Sequence, residues 1–87
     1  MKVLDKPKID RPREKLARYG TARLSDLELL MAIIGSGNAR ADVGKIAREV
    51  LKILRQKGGD VSYDDLRSVV GLGEAKISVI LASLELA

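Results

Sequence analysis

Two segments of this chain repeat the same devices in the same order, and that order limits what the chain can fold into. Leu24-Ser25 and Val61-Ser62 each set an apolar residue before a serine, and Glu28-Leu29 and Asp65-Leu66 follow with an acid and a leucine. A serine with an acid three residues later is a capping box, and the flanking apolar pair is a hydrophobic staple, so each segment announces a helix start. Each then reaches an apolar pair and two glycines, Ile33-Ile34-Gly35-Ser36-Gly37 in the first and Val69-Val70-Gly71-Leu72-Gly73 in the second. The cap-to-glycine spacings differ by one residue, and an apolar-striped helical run follows each. Agreement of cap, staple, apolar pair and G-x-G in one order is a poor candidate for chance, so the chain reads as an internal duplication. Two such units can pack about a pseudo-two-fold axis, each covering the apolar stripe the other exposes.

The remaining helices are read from their stops and periods. A first helix fits Pro12 to Tyr19, with proline at the first helical position and Gly20 as the stop; Leu16 is the expected inward residue, with Tyr19 beside it. The second runs from the Ser25 cap through Ile34, apolar on nearly every face. A third begins after Asp42 and carries Val43, Ile46, Ala47, Val50, Leu51 and Leu54 on one stripe, ending at Gly58-Gly59. Lys45, Arg48, Lys52 and Arg55 fall on its opposite side, a pattern that reads first as a solvated face. A short helix follows Ser62, and a last one starts at Glu74 or Ala75 with Ile77, Ile80, Leu81 and Leu84 inward. The expected fold is all-α: a small bundle of about five helices in which residues 11–87 form two tandem units related by a pseudo-two-fold, preceded by a flexible lead-in over residues 1–10. The expected core draws on Leu30, Ile33, Ile34, Ile46, Val50, Leu54, Leu66, Val70, Ile77, Ile80, Leu81 and Leu84. Val79, Ala82 and Leu86 form a second apolar strip on the last helix, and the chain stops at Ala87 in mid-pattern. The expectation is therefore a fragment of a longer chain, with Val79 and Leu86 exposed where the rest would meet them.

Composition narrows the chemistry. Phe and Trp are absent and only Tyr19 and Tyr63 are aromatic, so the core must be aliphatic, and so few aromatics argue against a platform for stacking single-stranded bases. There is no cysteine and no histidine, which removes disulfides, thiolate metal sites and the commonest general base. No apolar run reaches membrane-spanning length and the N-terminus lacks the apolar core of a signal peptide, so a cytoplasmic protein without a membrane partner is expected. The adjacent carboxylates Asp64 and Asp65 point about 100° apart on a helix and have no orienting His or Cys. No enzyme activity, cofactor, metal or small-molecule substrate is expected of this chain. The net charge of +4 is unevenly held: residues 1–23 carry eight bases and three acids, residues 24–87 eight bases and nine acids, and residues 58–87 only two bases against five acids.

The glycine turns are the candidate binding features. Gly71 and Gly73 can take positive φ and leave their amides uncovered, and a helix then opens at Glu74 or Ala75, so free N–H groups and a positive helix end converge where an oxyanion fits. The apolar-Gly-apolar-Gly pattern between two helices resembles the helix-hairpin-helix motif. On that reading Gly71, Gly73 and Lys76 contact one DNA phosphate, and Gly35, Gly37 and Asn38, with Arg40 and Lys45, form the pseudo-symmetric partner. Such contacts position a protein on DNA without reading bases. The competing reading is a protein-docking module using the apolar C-terminal strip and the cationic first helix.

Longer stretches resemble the N-terminal domain of the RadC family of bacterial proteins across residues 11–87. They are Arg11-Pro12-Arg13-Glu14-Lys15-Leu16, Leu24-Ser25-Asp26-Leu27-Glu28-Leu29-Leu30, the Gly35-Ser36-Gly37 turn, Ile46-Ala47-Arg48-Glu49-Val50-Leu51 and Val70-Gly71-Leu72-Gly73-Glu74-Ala75-Lys76. The resemblance implies a helix-hairpin-helix domain linked to DNA repair. It also implies a partner in the C-terminal domain of the full-length chain, of the JAB/MPN type, with a zinc site built on His-x-His and a downstream Asp. None of that zinc chemistry transfers to a chain without histidine.

Overall fold

The two serines form the caps their spacing predicts. Ser25 Oγ accepts the Glu28 N–H at 3.2 Å while Glu28 Oε1 accepts the Ser25 N–H at 3.0 Å. Ser62 Oγ accepts the Asp65 N–H at 3.2 Å and Asp65 Oδ2 accepts the Ser62 N–H at 2.9 Å. Each capping acid also meets a lysine from the preceding helix, Glu28 with Lys15 at 3.0 Å and Asp65 with Lys57 at 3.6 Å. The duplication therefore extends to this tether, which the linear pattern does not display. The Ser25 N–H, helped by Lys15, holds the Glu28 carboxyl below its ordinary range, and the Ser62 N–H does the same for Asp65.

The structure is a computed structural model describing residues 11–37 and 41–87. The expected lead-in over residues 1–10 lies outside the described residues. Five helices follow in order: α1 (Pro12–Tyr19), α2 (Asp26–Ile34), α3 (Val43–Lys57), α4 (Tyr63–Arg67) and α5 (Glu74–Leu86). Short 3₁₀ turns occupy Thr21–Arg23 and Gly58–Asp60, and no strand occurs among the described residues. The fold is all-α, as expected.

The units are α2–α3 and α4–α5. Across them, α2 packs on α5 and α4 packs on α3, contacts that exchange when the units are swapped. That exchange is the pattern of contacts a pseudo-two-fold would give. α1 lies outside it, packed on α2. The core is wholly aliphatic: Leu30 and Ile34 from α2, Ile46, Ala47 and Val50 from α3, Leu66 from α4, and Ile77 and Ile80 from α5. No polar or charged side chain is buried among the described residues, so the bundle is held by apolar transfer rather than by an internal polar network.

Two expected core residues are corrected. Val70 is 55% exposed and Leu84 is 45% exposed. α4 spans only five residues, after which the chain advances in three-residue steps, with Val69 N–H bonding Leu66 C=O at 3.1 Å and Leu72 N–H bonding Val69 C=O at 3.2 Å. Residues three apart eclipse in such turns, so Leu66, Val69 and Leu72 face inward and Val70 faces out. Leu84 sits one turn beyond Ile80 on the same stripe, in the last turn of α5. Ile33, Leu54 and Leu81 are half-buried against the core. Tyr19, beside Leu16, is exposed, with the guanidiniums of Arg23 and Arg18 at 4.8 and 5.8 Å from its ring centre.

Candidate nucleic-acid interface

Both hairpins turn on the first glycine of the pair. Gly35 has φ +85° and Gly71 has φ +91°, left-handed values that a Cβ resists. The second glycines behave differently. Gly73 is extended, at φ −87° and ψ 170°, and a Cβ there would meet nothing within 4 Å. Gly37 is needed for close approach, since a Cβ on it would collide with the Ala41 carbonyl and the Asp42 backbone.

The two hairpins meet. A Cβ on Gly71 would stand 3.1 Å from Ala41 Cβ and 3.1 Å from Ile46 Cδ1, so the second turn lies directly on the exit of the first and on the opening of α3. The start of α1 joins the same edge. Arg13 Nε donates to the Ala32 carbonyl at 2.9 Å, and its guanidinium covers Gly35 closely enough that a Cβ there would lie 2.5 Å from Nη2. One edge of the bundle thus collects Arg13, the Gly35 turn, the α3 start with exposed Lys45, the Gly71 turn, and the α5 start with half-buried Lys76. Asn38 and Arg40, expected in this group, lie outside the described residues.

The helix starts at this edge are not equivalent. Asp42 caps α3, its carboxylate accepting the Lys45 N–H at 2.7 Å. A carboxylate thus already occupies the position where an oxyanion would sit. α5 begins on Gly73 with no side-chain cap, and its first intrahelical bond runs from Ile77 N–H to Gly73 C=O at 3.0 Å. The amides before Ile77 have no carbonyl one turn behind them, and they carry the positive end of the helix dipole.

The two hairpins thus differ in the backbone amides they leave without a partner. The Gly35 amide is spent on the Met31 carbonyl at 2.8 Å, and the Lys45 amide on Asp42. Gly71 makes an interaction of its own. The α5 start, from Gly73 to Lys76, has no side-chain cap, and Glu74 beside it is exposed. Arg13 is the residue sequence reasoning did not assign to this edge. The Arg11-Pro12-Arg13 opening marked a cationic helix but not which end of α2 it would meet.

Among the described residues no group of acids could hold a metal ion. No helix there is long and apolar enough to cross a membrane. The family described as UPF0758 N-terminal matches residues 3–78. A UPF0758 protein from Clostridium tetani is 40% identical over 88 residues, covering 99% of this chain and 39% of the relative. One from Methanospirillum hungatei is 38% identical over 86 residues, covering 99% and 38%. One from Delftia acidovorans is 38% identical over 91 residues, covering 100% and 40%. The chain thus spans about two fifths of the length of these curated relatives. No solved structure gave a significant match.

Proposed function

The chain belongs to the UPF0758 N-terminal family, and from that premise we propose that it is the sequence-independent DNA-backbone-binding module of a RadC-like protein. The observation that carries this reading is the packing of Gly71 on Ala41 and Ile46, which joins the two hairpins into one edge. A phosphate at the α5 start accepts amide hydrogens of the first turn, and Lys76 neutralises it. Lys45 and Arg13 extend the cationic edge toward neighbouring phosphates. Contacts of this kind neutralise a few phosphates and read no bases, so affinity is modest and falls steeply with salt. The resemblance to RadC adds a link to DNA repair, a cytoplasmic bacterial setting and a C-terminal JAB/MPN-type domain in the full-length protein.

The test is a titration of the chain with duplex, branched and single-stranded DNA over a range of salt. Duplex binding is expected to give a log–log slope of about −2 to −4, since each neutralised phosphate contributes roughly −0.9. Lys76→Ala should weaken binding and flatten that slope by about one contact, while deletion of residues 1–9 should leave hairpin binding in place. If the deletion abolishes binding and Lys76→Ala does nothing, N-terminal charge alone accounts for the affinity and the hairpin reading is lost.

One observation favours a second reading, a docking module for the C-terminal domain. Val79 is 45% and Leu86 is 88% exposed. With exposed Ala75 and Ala82 they make a seam on α5 opposite its buried face. Failure of all three DNA forms to bind would make this the better account.

A further inference from the structure

The other face of the α2–α3 pair carries a feature that the hairpin edge does not use. Two open hollows of about 620 and 300 Å³ share Asp26, Leu51 and Arg55, and so run together as one trough along the two helices. Half-buried Leu27 and Leu51 line the first hollow. Leu29, Ile33 and Leu54, also half-buried, continue the apolar lining into the second. Along the α3 side stand Arg48, Lys52 and Arg55, all exposed and none in an ion pair among the described residues. Their spacing of four and three residues sets them in one row along the helix, about 10 Å long at 1.5 Å per residue. Among the described residues Asp26 is the one acid lining the trough, against these three cations. The α2 start, with Ser25 and Asp26, opens into the same hollow, so the helix dipole adds positive potential there.

We propose that this trough is a docking groove for an amphipathic helix of a protein partner, one with an apolar stripe and acidic residues along one flank. The apolar floor takes the stripe, as helix-in-groove recognition does. The Arg48–Lys52–Arg55 row pairs with acids repeating at the same three- and four-residue steps, and fixes the orientation and register of the incoming helix. A nucleic-acid backbone suits the site poorly, because its phosphates would lie over leucines and leave that floor in water. The basic stripe, which reads in the sequence as a solvated face, becomes the specificity element of the groove.

The probes are three labelled synthetic helices of about 18 residues, long enough to hold helical structure alone. One has a Leu stripe with Glu flanks, one the same Leu stripe with Lys flanks, and one Glu flanks with Gln in place of Leu. Binding is read by fluorescence anisotropy and by amide shifts in the labelled 87-residue chain. The Leu/Glu helix is expected to bind and to shift amides of residues 25–33 and 48–56, leaving 71–76 unmoved, while the other two bind at least about tenfold more weakly. The triple variant R48E/K52E/R55E changes only exposed positions, and should cut Leu/Glu affinity by about tenfold or more through three reversed rim charges. Absence of binding, equal binding of the Leu/Lys helix, shifts confined to the hairpin edge, or an unchanged affinity in the triple variant would each overturn the proposal. So would loss of duplex-DNA binding in that variant with peptide binding intact, which would assign the row to nucleic acid.

Discussion

Gly73→Asp separates stability from DNA binding at the α5 start. Gly73 and Asp42 hold the same cap position in the two units, with φ and ψ of −87° and 170° against −78° and 165°. An aspartate at 73 therefore needs no backbone adjustment, and a Cβ there meets nothing within 4 Å. Its carboxylate can accept the Lys76 N–H as Asp42 accepts the Lys45 N–H at 2.7 Å. Replacing a glycine cap by aspartate gains a few tenths of a kcal/mol from the hydrogen bond, and an acid at a helix start adds about 0.3–1 kcal/mol. The net expectation is a stabilisation of about 0.5–1 kcal/mol, or a Tm rise of roughly 2–6 °C for a domain this small.

On the proposed reading the same carboxylate takes the phosphate's place at the α5 start and opposes a phosphate there by charge. Duplex-DNA affinity should fall by about an order of magnitude, roughly 1.4 kcal/mol, and the salt slope should flatten by about 0.9. Gly73→Ser is the control, since a hydroxyl caps without adding charge. It should raise Tm less and change DNA affinity much less. Thermal denaturation by circular dichroism and anisotropy on a labelled duplex read the two quantities independently. A raised Tm with unchanged DNA affinity would refute the phosphate assignment. A lowered Tm would refute the cap geometry beneath it.

Gly71→Ala should behave in the opposite way. Its φ of +91° and a Cβ 3.1 Å from Ala41 and Ile46 combine backbone strain with overpacking, for a loss of about 2–4 kcal/mol in urea denaturation. Leu66→Ala, at a site with 0% exposure, should cost about 2–5 kcal/mol, whereas Val70→Ala, at 55%, should stay within about 0.5 kcal/mol; equal losses would restore Val70 to the core. The carboxyls of Glu28 and Asp65 are held below their ordinary values of 4.5 and 3.8, so their contribution is complete above those values and fades as pH falls through the lower folded ones. Tm should be level from neutrality to about pH 5 and fall below it, and Glu28→Gln should reduce that acid slope. A Tm curve unchanged by Glu28→Gln would mean that the capping box carries no pH-linked stability.

What could be read from the sequence was local, and what could not depended on where elements meet. Pro12, Ser25, Asp42 and Ser62 fix their helix starts because a cap acts within four residues of chain, and the matched order of caps and glycines was enough for the pseudo-two-fold. Val70 misled because a 3.6-residue period was carried past the end of α4, where the chain turns in threes.

At the hairpin edge the position of Asp42 held more information than the glycine pattern did. A carboxylate one residue before a helix satisfies the same amides that a phosphate would, so a recognised N-cap is already an argument against an anion site at that helix start. The glycine pattern made the two hairpins look equal, but the cap makes them unequal. In the first unit Asp42 fills the helix end, and Arg13, reaching over from α1, supplies the cation beside the Gly35 turn. In the second unit Gly73 leaves the helix end open, and Lys76 is its own first-turn cation. Contact with Arg13 could not be inferred from a string, because it requires knowing that α1 lies with its start against the C-terminal end of α2. If DNA lies along this edge, Arg13 beside the Gly35 turn and Lys76 in the first turn of α5 are expected to meet different phosphates. Their separate replacement by alanine should then lower the salt slope by about 0.9 each and additively. Strongly non-additive losses would mean that the two cations serve a single phosphate, and the picture of two unequal hairpins set side by side on a backbone would have to be abandoned.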